Sequence, residues 1–146
     1  MNLINSLDTA IAARAGLIPE PHDAALRLFN GFYEGCPELV ADLYLRTLVL
    51  YNYADPPETG QGLLDSTQEL LLERLPWITC VVRKTRAAAS PEERCGRVVW
   101  GGPPARRVRE GGVWYALNLT LNQDAGFYLD TRGLRTWLRE HCSGLS

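Results

Sequence analysis

Between Asn122 and Arg135 the sequence reads NQDAGFYLDTRGLR, which brings the amide of Gln123, the carboxylates of Asp124 and Asp130, and the guanidinium groups of Arg132 and Arg135 around Gly126 and Phe127. Arginines in such a setting can hold a carboxylate or a phosphate through two parallel hydrogen bonds. A second stretch has the residue types for a polyanion. Arg83, Lys84, Arg86, Arg94, Arg97, Arg106, Arg107 and Arg109 stand against only Glu92 and Glu93, a local charge of +6. Residues 1–75 carry eleven acids and four arginines, −7, and the residues from Glu110 onward carry four acids and three arginines, −1, so the net −2 conceals a polarised chain. A solvated charged face gives such a run, and so does a stripe facing nucleic-acid phosphates.

Other chemistries lack their parts. His22 and His141 are the only histidines, and Cys36, Cys80, Cys95 and Cys142 are scattered without a C-x-x-C pair, so neither a zinc site nor a Ser-His-Asp triad is supported. Reduced, structural cysteines are expected. No apolar run reaches the ~18 residues a membrane helix needs, and the first residues lack the layout of a signal peptide. A cytoplasmic protein with no membrane partner is expected. At 46% hydrophobic and 22% charged, 146 residues make one ordinary globular domain.

The chemistry-bearing stretches need elements to position them. Leu3, Ile4, Leu7, Ala10 and Ile11 predict an amphipathic helix over 2–14, ended by Pro19 and Pro21. Residues 25–53 read as a meander of three short strands punctuated by Asn30-Gly31 and Gly35-Cys36-Pro37. Residues 55–62 form a loop. Leu63, Leu64, Leu70, Leu71 and Leu75 predict a helix over 62–75, and WITCVVRK (77–84) a buried strand. A loop over 85–94 and two further strand regions follow, with Gly111-Gly112 as a hairpin turn. Gly126–Leu129 reads as a short strand, and Asp130 as the N-cap of a terminal helix with Leu134, Trp137, Leu138 and His141 on its apolar side. The class is α+β: a curved antiparallel or mixed sheet with hairpins, flanked by N-terminal, middle and C-terminal helices. The double glycines at 101–102 and 111–112 open no helix, so neither is a phosphate loop.

NQDAGFYLDTRGLR resembles G-Q-K-T-G-F-F-x-D-x-R-x-x-R, a motif found just before the catalytic domain of S-adenosylmethionine-dependent methyltransferases that modify cytosine C5 or guanine in large-subunit ribosomal RNA. Gln123, Gly126, Phe127, Leu129, Asp130, Arg132 and Arg135 match, while Asp124 stands where a lysine is common. RLFNGFYEGCPELVADLY is similar to that family's R-L-x-x-G-E-x-D-G-L-P-G-L-x-x-D-x-Y through Arg27, Leu28, Gly31, Gly35, Pro37, Leu39, Asp42 and Tyr44. Cys36 and Glu38 depart from it. The resemblance covers roughly residues 8–141.

The resemblance implies a non-catalytic front part of a methyltransferase, cut before a Rossmann-like catalytic domain, with a short helix where many members carry an RNA-binding PUA module. It divides the chain into an N-terminal helix and linker (1–20), a hairpin-rich substrate-recognition domain (21–121) and a cofactor-flanking segment (122–146). Gln123, Gly126, Phe127, Asp130, Arg132 and Arg135 would border the S-adenosylmethionine pocket of the parent protein, without binding the cofactor tightly in this chain alone. Arg83, Lys84, Arg86, Arg97, Arg106, Arg107 and Arg109 would face ribosomal or other RNA, and Trp100, Trp114, Tyr115 and Phe127 are candidates for stacking on an extruded base. No cysteine lies in a segment resembling the family's nucleophile motif, so no catalytic residue is assigned and the chain alone is expected to be inactive. The competing reading is a stand-alone interaction module, a homodimer among its forms.

Overall fold

The computed structural model describes residues 2–142 and Gly144. Helix α1 (Leu3–Arg14) starts at Asn2, whose side-chain oxygen accepts from the Ile4 amide at 3.0 Å. Strands β1 (Ala25–Asn30), β2 (Leu39–Tyr44) and β3 (Thr47–Asn52) form the expected meander, each antiparallel to the next, with a single-turn helix α2 (Gly31–Glu34) inserted between β1 and β2. Helix α3 (Gln61–Arg74) then crosses over to β4 (Cys80–Thr85), which runs parallel to β3, and β5 (Arg97–Gly101) closes the sheet antiparallel to β4. The five-stranded mixed sheet thus has the order β1-β2-β3-β4-β5, and β6 (Arg107–Glu110) and β7 (Val113–Ala116) make a separate hairpin. The α+β class and the mixed sheet agree with the sequence.

Strands β2 and β3 are buried at every position, because the sheet is covered on both faces. Leu39, Ala41, Leu43, Leu48, Leu50 and Val81 point to the face where Leu7 and Ala10 of α1 and Leu64 and Leu71 of α3 pack. Val40, Tyr44, Val49, Tyr51 and Val82 point the other way, against Val108 of the hairpin and Leu119, Ala125 and Phe127 of the segment after it. In β1 the register slips between Arg27 and Phe29, which lets consecutive Leu28 and Phe29 both join the helix-side core.

Three local expectations change. Residues 91–94, the end of the expected loop, join Cys95 in a short helix α4 (Pro91–Cys95) with proline in its first turn. Gly126–Leu129 is not a strand. Gly126 has φ +76°, and the chain passes through a 3-10 turn (Leu129–Thr131) into α5 (Arg132–His141). Asp130 lies inside that turn and caps nothing; the residue before the helix is Thr131, whose hydroxyl donates back to the Tyr128 carbonyl.

The glycines of the first motif have physical reasons. Gly35 closes α2 at φ +87°, a left-handed conformation that glycine adopts without strain. Gly31 is buried where a Cβ would collide with the carbonyl oxygens of Cys36 and Leu39. Gly31→Ala is therefore expected to lower the free energy of unfolding by about 3 kcal/mol, read by urea denaturation. Gly16→Ala, which meets open space, should leave it unchanged or raise it by up to ~1 kcal/mol.

Candidate functional site

The two motifs meet on the second face of the sheet. Strand alternation carries Asp42 to that face between Val40 and Tyr44, and antiparallel register places Arg27 opposite it. Arg27 donates from Nε to Asp42 Oδ1 at 2.8 Å and from Nη2 to Oδ2 at 3.2 Å, a two-point clasp on a carboxylate only 1% exposed. Burial pushes the Asp42 carboxyl up from its ordinary value, and the bonds from Arg27 and the Tyr44 hydroxyl pull against that rise. Burial likewise pushes the Tyr44 and Tyr51 hydroxyls up, so both stay protonated donors.

Above this floor the covering segment leaves a gap. A cavity of about 230 Å³ is bounded below by Arg27, Asp42, Tyr44, Tyr51 and Tyr53, and at the sides by Arg86, Gln123, Asp124, Ala125 and residues 127–130. Arg86 donates to Gln123 Oε1 at 3.0 Å and lies 5.5 Å from the Tyr53 ring centroid. An adjoining cavity of about 310 Å³ shares Arg27, Leu129 and Asp130 and adds Asn30, Glu110, Arg132 and Arg135. Gln123, Phe127 and Asp130, and the Asp42 and Tyr44 of the other motif, thus converge on one depression.

Arg135 lies deeper than its sequence suggested, and Arg132, still exposed, shares its partner. Glu110, 8% exposed, is the inward-facing end of β6, and three turns of α5 present arginine to it. Arg135 donates to both its carboxylate oxygens at 2.8 and 3.0 Å, Arg132 Nε bonds at 3.2 Å and Arg139 Nη1 at 3.2 Å. The remaining Arg135 nitrogen bonds the Tyr128 carbonyl and the Thr131 hydroxyl, and its guanidinium sits 4.1 Å from the Phe127 ring centroid. Arg135 is fully engaged, whereas Arg132 keeps its two Nη groups. Hydrogen bonding from Arg135 holds the Glu110 carboxyl at about 2, far below the ordinary 4.5.

The basic stretch is not one stripe. Lys84, 0% exposed, donates to the carbonyls of Asn122 at 2.7 Å and of Gln123 and Asp124 at 3.4 Å; burial lowers its pKa to about 8. It is a rivet under the covering segment and cannot reach RNA phosphates. Its neighbour Arg83 points to the opposite face, onto Asp65 and Gln68 of α3. Arg97 lies exposed on the edge strand near Glu93. Arg107 and Arg109 share the hairpin's outer face, where they flank the Trp114 ring at 4.2 and 5.8 Å, and Arg106 is exposed just before β6. Phe127 is buried and tilted against Tyr115, so it belongs to the core, not to a stacking surface. Trp100 and Trp114 are exposed.

Sequence reading missed Glu110, Arg139, Tyr51, Tyr53 and Tyr128. Glu110 did leave a trace: it occupies the inward position two residues after Val108 in an alternating strand.

No family model matches the chain. It is 34% identical over 139 residues to a ribosomal RNA large subunit methyltransferase of Deinococcus radiodurans, covering 86% of this chain and 33% of that protein. Its fold is shared with a solved structure described as "a putative sam-dependent methyltransferase from Streptococcus mutans", at a TM-score of 0.77 and 18% identity over 92% of this chain and 34% of that one. A second structure with the same scores is described as "a putative methyltransferase complexed with SAH". The chain spans about a third of the length of each of these proteins.

The Glu110 cluster gives an acid signature. A carboxyl depressed from 4.5 to about 2 stabilises the fold above its unfolded value and loses that contribution as pH falls through the folded value. Glu110→Gln should cost about 2 kcal/mol at neutral pH, after allowance for the solvent screening of Arg132 and Arg139. Urea unfolding of both proteins along a pH series should show this difference shrinking below pH 4.5 and vanishing near 2. A difference independent of pH would refute the assignment.

Proposed function

We propose that this chain is the RNA-recognition part of an S-adenosylmethionine-dependent RNA methyltransferase, working in the cytoplasm on ribosomal RNA. It would contribute RNA contacts and one side of the cofactor-pocket mouth, and carry out no methyl transfer by itself. The observation that carries this reading is the convergence of both motifs on one cavity, in a chain that aligns along 86% of its length with a ribosomal RNA methyltransferase.

S-adenosylmethionine supplies the methyl group when bound, and the geometry fits a bordering role. Of the two cavities, about 230 and 310 Å³, the first falls below and the second just reaches the ~300–1,000 Å³ that encloses a whole ligand. Gln123, Asp130 and the unengaged Nη atoms of Arg132 are placed to touch a group held mainly from outside. Arg135 positions this rim through Glu110 and the Tyr128 carbonyl. Gly126 supplies the left-handed turn that swings Phe127 into the core.

Among the basic residues, the phosphate-facing role falls to Arg107 and Arg109 on the hairpin and exposed Arg106 just before it, with Arg86 at the cavity rim and Arg97 on β5. Fluorescence anisotropy of this chain with a short ribosomal RNA stem-loop should show affinity falling with salt. Arg106→Glu with Arg107→Glu should weaken binding and flatten the slope of log affinity against log salt by about 0.7–0.9 for each phosphate that the hairpin no longer neutralises. An unchanged slope would remove the hairpin from the interface.

A second reading, a self-associating interaction module, is favoured by one observation. Leu134, Trp137 and Leu138 of α5 are 58, 52 and 43% exposed and share one side of the helix. Sedimentation velocity across a concentration series, with and without moderate salt, separates the two. Salt-insensitive dimers dispersed by Trp137→Glu would support self-association through this face, and a monomer at every concentration would exclude it.

A further inference from the structure

The cavity over Asp42 has a composition that selects a ligand. Its floor and rim carry the tyrosines Tyr44, Tyr51, Tyr53 and Tyr128. Its arginines are already engaged, Arg27 with Asp42 and Arg86 with Gln123, and Asp42, Asp124 and Asp130 add negative charge to the lining. With no cationic surplus, the cavity does not suit a free phosphate or a carboxylate. At about 230 Å³ it suits one planar ring, not a whole cofactor.

The floor is rigid for a physical reason. Arg27 clasps both oxygens of Asp42, 1% exposed, so the buried charge of the floor is paired before any ligand arrives and need not rearrange to bind one. Arg27 Nη1 and the tyrosine hydroxyls offer hydrogen-bonding edges. Tyr128, 59% exposed, stands at the rim as a ring face open to a partner. Resting on the RNA reading above, we propose that this cavity takes a single unpaired nucleobase of the bound RNA, stacked on Tyr128 with its polar edge toward Tyr51 and Arg27. Aromatic faces hold unpaired bases in this way regardless of sequence, while the polar floor ranks one base above another.

The test separates base from backbone. The probes are six-unit abasic ribose-phosphate oligomers, one fully abasic and four carrying a single central adenine, guanine, cytosine or uracil, titrated into this chain by fluorescence anisotropy at low salt. At least one base should raise affinity by about tenfold over the abasic oligomer, the scale of one base–aromatic stack. Tyr128→Ala, an exposed position that the fold does not need, should abolish that gain and leave binding of the abasic oligomer unchanged. Tyr51→Phe should alter the ranking of the four bases. Salt-dependent binding of the abasic oligomer with no gain from any base would overturn the pocket while leaving the RNA reading intact. A gain that survives both substitutions would also overturn it, by placing the base elsewhere. Failure of every oligomer and of the stem-loop to bind would remove both proposals together.

Discussion

The second half of the chain is held in place by Glu110 and the arginines that surround it. One carboxylate at the inward end of β6 ties Arg132, Arg135 and Arg139 of α5, and through Arg135 it also reaches the Tyr128 carbonyl. A buried carboxylate without partners costs several kcal/mol, and removing one partner of such a pair typically costs ~3–5 kcal/mol. That asymmetry makes the cluster a constraint as much as a source of stability. Once the hairpin has carried Glu110 inward, α5 must present arginine to it, and the 3-10 turn at 129–131 must bend to allow the approach.

The rest of the site follows from covering one face of a sheet incompletely. Strands β2, β3 and β4 are buried on both sides, so the chain after β5 has to provide the second cover. It does so with a hairpin and an irregular segment, which Lys84 fastens by its carbonyls from below. Where that segment stops short, the sheet face turns polar, with Arg27, Asp42 and the tyrosines in place of valine and leucine. An apolar gap of this size would favour collapse of the cover onto the sheet. A polar floor built on the Arg27–Asp42 pair gains less from that collapse.

Much of this was legible in the residues, and the failures have identifiable causes. Helical periodicity placed α1 and α3 within a residue of their ends, and alternation and turn chemistry found the meander and the hairpin. The α4 turn was missed because five residues are too few to show a period. The strand expected at Gly126–Leu129 rested on aromatic β-propensity, which Gly126 overrides through its left-handed backbone. Charge clustering grouped Arg83 with Lys84, although consecutive strand residues must point to opposite faces. The motif residues did converge, but the part played by Tyr51 of β3, Tyr53 after it and Glu110 depends on which sheet face the later chain covers, a long-range outcome that strand alternation alone does not decide.

Helix α5 shows how close such outcomes can be. Its two stripes, Arg132-Arg135-Arg139 and Leu134-Trp137-Leu138, are equally plain in the sequence; only their orientation was open. Burying a leucine or tryptophan fully is worth ~1.5–3 kcal/mol, so leaving three of them about half exposed forfeits about 3 kcal/mol. That nearly equals the ~3–5 kcal/mol at stake in leaving a buried carboxylate without a partner, and pairing wins by a small margin. The apolar stripe is therefore turned outward because Glu110 prevails at the inner face. A surface that apolar on a helix whose other side is anchored by ion pairs gains most from being covered, and covering it disturbs none of the bonds to Glu110. The outer stripe of α5 and the Asp42 cavity are thus structurally independent: one lies on the helix, the other on the sheet face beneath the turn that precedes it.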